Sequence, residues 1–166
     1  MIVWHYTIGS RLKAIREYGA LRPATAGVPA HELPVLWFSS RRDFEPTARK
    51  MLVNSDGQLR RLSVDETAHW GEGLIRFGIS SDRCIRWPDL RRRCHMRSKD
   101  ARQLEAAAHA IGAIPTQWFG VIGELPLSAV SALERLDGVA WREEITGPAD
   151  PGVGEPAHVN APATTT

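Results

Sequence analysis

The kind and order of the short apolar runs constrain this chain most, because runs that read as strands outnumber those that read as helices and the two do not alternate. A doubly wound sheet needs that alternation, so the pattern predicts an α+β domain of small mixed or antiparallel sheets with a few flanking helices. Ile2 to Tyr6 reads as an opening strand, rich in β-branched and aromatic residues and followed by a Gly9-Ser10 turn signal. A helix capped by Ser10 follows, with Leu12, Ile15 and Tyr18 on one face and Gly19 at its C-terminus. Pro23, Gly27 and Pro29 then enforce a loop, and Val35 to Ser39 reads as a buried strand. Further on, Pro46 to Met51 reads as a short helix, Asn54 to Gly57 as a turn, Gly73 to Ile79 as a strand and Arg86 to Asp89 as a loop or turn. Ser98 is expected to cap a helix from Lys99 to Ile111, with Leu104, Ala107, Ala108 and Ile111 inward and Gly112 ending it. Trp118 to Ile122 and the Val139-Ala140-Trp141 region read as strands.

From Gly147 onward, four prolines, three glycines and the terminal threonines show no apolar period. Burial there cannot offset the entropy of ordering, so residues 1–146 are expected to form one domain and residues 147–166 a disordered tail. No basic leader followed by an apolar stretch opens the chain, and no run approaches the roughly eighteen apolar residues of a membrane span. Cys84 and Cys94 are the only cysteines, which fits a reducing compartment and a cytoplasmic protein without membrane partners. The net charge is only +2, yet Arg86, Arg91, Arg92, Arg93 and Arg97 crowd one segment. That segment reads either as a solvated face or as a nucleic-acid-binding surface, with Trp87 available to stack on a base.

Several chemistries lack their residues. There is no paired Cys-x-x-Cys for structural zinc, no Gly-x-Ser-x-Gly elbow, no phosphate-cradling Walker loop and no Gly-x-Gly-x-x-Gly fingerprint, so no metal is expected. What remains is a polar pair, His5 and Thr7, on one side of the first strand, with Trp4 and Tyr6 on the other.

The stretch from Trp4 to Pro23, Trp-His-Tyr-Thr-x4-Leu-x-x-Ile-x-x-Tyr-Gly-x-Leu-x-Pro, resembles the opening of the ADP-ribosyltransferase-like superfamily, where a His-x-Thr strand precedes a helix and a Gly-x-Leu. This superfamily includes poly-ADP-ribose polymerase-like enzymes and DNA- or RNA-modifying toxins. Val35 to Ser40 is similar to its second strand, and Gly112 to Phe119 to the approach to its acidic strand. The resemblance implies NAD as cofactor and a protein or nucleic-acid acceptor. It implies that His5 bonds the nicotinamide ribose, that Thr7 fixes the strand or contacts that ribose, and that Trp37 stacks on nicotinamide with Phe44. Phe38 and Ser39 would line the same pocket, and Arg41 and Arg42 would meet the pyrophosphate.

Cleaving the nicotinamide-ribose bond passes through an oxocarbenium-like state that needs a negative group nearby. Gln117 stands where the family places a glutamate, which leaves three readings: Gln117 in an altered transferase, Glu124 as the acid, or nucleotide binding without chemistry. Glu45 and Glu72 are further loop carboxylates that could reach in. Two rivals stand beside transfer or hydrolysis of NAD: a nucleic-acid-binding module, and RNA phosphotransfer, which needs arginines flanking the histidine strand where only Arg11 comes near.

Overall fold

Alternation of buried aliphatic and aromatic residues builds the centre of the protein, β1 (Ile2–Ile8), β3 (Val35–Ser39), β6 (Leu74–Ser80) and β8 (Trp118–Ile122), in a computed structural model that describes residues 1–144. They belong to a seven-stranded antiparallel sheet of order β11-β10-β6-β1-β3-β8-β7, completed by β7 (Ile85–Arg86), β10 (Ala132–Asp137) and β11 (Ala140–Glu143). Two small sheets flank it: β2 (Ala20–Leu21) with β9 (Leu125–Pro126), and the hairpin β4 (Met51–Val53) with β5 (Leu59–Arg61). Four helices, α1 (Leu12–Tyr18), α2 (Val64–Trp70), α3 (Trp87–Arg93) and α4 (Ser98–His109), make the fold mixed α+β with one large antiparallel sheet. The expected boundary at residue 146 and the tail after it lie outside the described residues.

Both faces of the sheet are covered. On one, Val3, Ile75, Phe77, Ile79, Leu36, Phe38 and Phe119 pack with Leu12 of α1 and with Leu21 and Leu125. On the other, Val35, Trp37 and Trp118 pack against Trp87, Leu90 and Cys94 of the α3 region and Ala101 and Ala108 of α4. Cys84 packs against the first cluster and Cys94 lies in the second, and both are free thiols.

Several local expectations need correction. Ser10 caps nothing: it lies in a 3-10 turn, Gly9–Arg11, between β1 and α1, whereas Gly19 ends α1 in the left-handed region at φ 80° as expected. Ser98 is the first residue of α4 rather than its cap, which falls on Arg97. The inward stripe of α4 runs through Ala101, Leu104 and Ala108, leaving Ala107 one step round the helix and exposed. Arg86 to Asp89 is not a loop, because Pro88 sits in the first turn of α3, where its missing N–H removes no helical bond. The helix expected from Pro46 to Met51 is a single 3-10 turn, Pro46–Ala48, after which Met51 opens β4. The short elements β2, β4, β5, β7 and β9 and the helix α2 were not legible as such.

Candidate functional site

β1 and β3 meet at one residue pair only, Trp4 opposite Ser39, and then separate. Where the ladder stops, the imidazole of His5 takes its place, Nδ1 lying 2.9 Å from the carbonyl oxygen of Trp37. The ring touches Phe38 and Phe77, its neighbours on the α1 face of the sheet. Trp37, one residue out of step, points to the opposite face, where its indole meets those of Trp87 and Trp118 at 5.6 and 5.9 Å between ring centres. His5 and Trp37 therefore do not share a face. Both nevertheless line one cavity of about 420 Å³.

Trp4, Tyr6, Phe38, Ser39 and Trp118 of the sheet line this cavity together with Ala24, Leu104, Glu45, Thr47, Ala48 and Lys50. Glu45 is its most unusual group. Its carboxyl is buried, with Oε1 accepting the Thr47 hydroxyl proton at 2.9 Å and the Trp118 indole N–H at 3.4 Å. Oε2 is buried and has no hydrogen-bond partner. A buried oxygen left unsatisfied is costly, so Oε2 is an acceptor whose hydrogen-bonding capacity the protein's own groups do not use.

Burial pushes the His5 pKa below its usual value, against the Trp37 carbonyl, which raises it, and with Lys50 adding a smaller lowering. Lys50 is lowered by burial first and by the Arg11 charge second. The cavity is therefore lined by an imidazole whose protonation burial disfavours, a carboxyl group and a partly desolvated amine, together with aromatic side chains.

Of the residues expected around NAD, His5, Trp37, Phe38 and Ser39 line the cavity and the others do not. Thr7 lies further along β1 opposite Ile75. Phe44 packs edge-on against Tyr6, and Arg41 donates through Nη1 to the Gly112 carbonyl at 2.9 Å. Arg42 accepts through its carbonyl from Arg76. Gln117 is fixed beside Ser40, whose N–H donates to its carbonyl at 2.9 Å, and its side-chain oxygen is buried without a partner outside the cavity wall. Glu124 is at the surface, accepting from the Tyr18 hydroxyl at 2.9 Å, and Glu72 is exposed in the turn before β6. The carboxyl group at the cavity is thus Glu45. Its only sequence signal is its place before Pro46, where it caps the following turn.

No family model, curated protein or solved structure matches the chain. In the basic segment, Arg92 pairs with Asp89, Arg91 lies 3.8 Å from Glu105, and Arg86 lies over the Phe119 ring, while Arg93 and Arg97 are exposed. Trp87 is not available to stack on a base, because it is buried with its indole N–H bonded to Glu105 at 2.6 Å. Among the described residues, no helix is long and apolar enough to cross a membrane.

Proposed function

We propose that the cavity receives the nicotinamide and adjoining ribose of NAD, and that the protein cleaves the bond between them and passes ADP-ribose to a macromolecule or to water. The observation that carries this reading is Glu45, a buried carboxyl that lines the cavity with Trp4, Trp37 and Trp118 and keeps one oxygen, Oε2, without a partner. A planar heterocycle is bound well by indole faces, and a cavity of this size suits the nucleoside end of the dinucleotide. The His-x-Thr strand and the second-strand resemblance support the same ligand.

In this mechanism the C–N bond breaks with both electrons leaving on nicotinamide, and the ribose carbon gains oxocarbenium character. Glu45, as a carboxylate, offsets that charge and takes the proton lost by the attacking water or acceptor hydroxyl. His5, kept neutral, hydrogen-bonds a ribose hydroxyl through the nitrogen that does not face Trp37. Lys50, with Arg11 behind it, is the cation placed for phosphate, in the role first expected of Arg41 and Arg42.

The test is release of nicotinamide from NAD, followed by chromatography. Glu45→Gln should lower the rate by about a hundredfold or more, the scale set by losing one charge-stabilising group. Trp37→Ala should mainly raise KM. No release by the wild type, or an unchanged rate in Glu45→Gln, sinks the reading.

A further inference from the structure

The loop between β2 and β3 carries His31 and Glu32, and the first turn of α4 carries Asp100. One ligating atom from each lies within 4.8 Å of the others, the one such group of His, Cys, Asp and Glu side chains found among the described residues. Glu32 is the member that needs explaining. Only 8% of its side chain is exposed, and its Oε1 is buried without a hydrogen-bond partner. That oxygen points at His31 Nε2 from 3.7 Å, too far for a hydrogen bond. Two ligands each about 2.1 Å from a tetrahedral zinc lie roughly 3.4 Å apart, so this spacing is close to that of atoms sharing one ion.

We infer that His31, Glu32 and Asp100 bind a divalent cation of the zinc type, with water in the fourth position. An imidazole and two carboxylates suit zinc, whereas calcium takes six to eight oxygens and three side chains fall short of that. Two carboxylates and one imidazole also balance the charge of a doubly charged ion. The site ties the loop to α4. Ala24 of the same loop and Leu104 of α4 both border the cavity, so the ion would hold two of its walls together. The Leu33 N–H already donates to the Cys94 carbonyl at 2.9 Å, which seats the loop beside the α3–α4 turn before any ion arrives.

The experiment is calorimetric titration of EDTA-stripped, dialysed protein with zinc chloride, with thermal unfolding followed in parallel. One ion should bind per chain and raise Tm. His31→Ala and Asp100→Asn should each weaken binding by roughly tenfold or more while keeping the zinc-free Tm of the wild type. His95→Ala should leave the affinity unchanged. Absence of a single stoichiometric site, or a site that survives both His31→Ala and Asp100→Asn, overturns the inference. Neither outcome depends on NAD cleavage.

Discussion

His5 reports on the wedge between β1 and β3 through its charge as well as its position. Burial depresses its folded pKa, while in the unfolded chain the imidazole takes a proton near pH 6.5. Below that pH the unfolded state binds the proton first, so stability falls as pH drops from about 6.5 toward the folded value and is unaffected above it. Glu66 acts in a lower window. Bonds from Arg60, then the Ser63 N–H, hold its carboxyl down to about 2, so its contribution is present above its ordinary pKa of 4.5 and fades as pH falls through that range. Urea titrations from about pH 7.5 to 5 should therefore show a loss of stability that His5→Gln reduces and Glu66→Gln does not. An equal slope in His5→Gln would mean that His5 is protonated in the fold. Gln117→Glu should fail to raise NAD cleavage and should lower stability, because it puts a carboxyl where a buried oxygen already lacks a partner. A gain in turnover would restore Gln117 to the site. The strand's period of two singled out His5 with Thr7, whereas Trp37, Phe38 and Ser39 entered only through the resemblance, and the same period separates His5 from Trp37. Glu45 stood in the sequence only beside Glu72 as a loop carboxylate that could reach in, and nothing there separates the two, since the burial of Glu45 depends on Trp118, 73 residues further along the chain.

Elements were legible where one periodicity ran uninterrupted. β3 and β8 match the expected spans, Val-Leu-Trp-Phe closed by Ser39 in one and Trp-Phe-Gly-Val-Ile in the other. α3 was missed because Trp-Pro-Asp suggests a turn, and three arginines conceal that only Trp87, Leu90 and the following Cys94 face inward. Its seat is Gly120 in β8: a Cβ there would lie 2.6 Å from both Leu90 Cδ2 and Val35 Cγ1. Neither neighbour is a flexible surface group, as Leu90 is fully buried and Val35 nearly so. Gly120→Ala should cost about 1–3 kcal/mol in chemical denaturation, the range for overfilling a packed core. Leu90→Ala should cost less in the Gly120→Ala background than in the wild type, because it removes the atoms that clash. Strict additivity of the two changes would show that the methyl group is accommodated elsewhere.

Across the whole molecule, stability should follow the sheet from its centre outward. β1 is paired with β6 over seven residues, from Ile2 opposite Ser80 to Ile8 opposite Leu74, and nearly all of β6 is buried. On the other face Arg76 is clasped between the rings of Trp4 and Trp141, at 3.9 and 4.4 Å, and paired with Glu134, which fastens β10 and β11 to this centre. The hairpin of β4 and β5 is built differently. Its turn is well made, with Asn54 Oδ1 accepting the N–H groups of Asp56 and Gln58, but Met51, Leu52, Val53 and Leu59 are all exposed. It joins the rest at its base, where the Leu62 N–H donates to the Lys50 carbonyl and the Lys50 N–H to Thr67 of α2. Little apolar area is therefore lost when the hairpin opens, and local opening free energy follows buried contact. Native-state hydrogen exchange should find the β1 and β6 amides slowest, exchanging only through global unfolding. The ladder amides of β4 and β5 should exchange through a local opening of much lower free energy and low denaturant dependence. Protection of the hairpin equal to that of β1, at protein concentrations where the chain is monomeric, would contradict the proposed link between burial and opening. Protection that grows with protein concentration would instead show that a second copy covers those four apolar side chains.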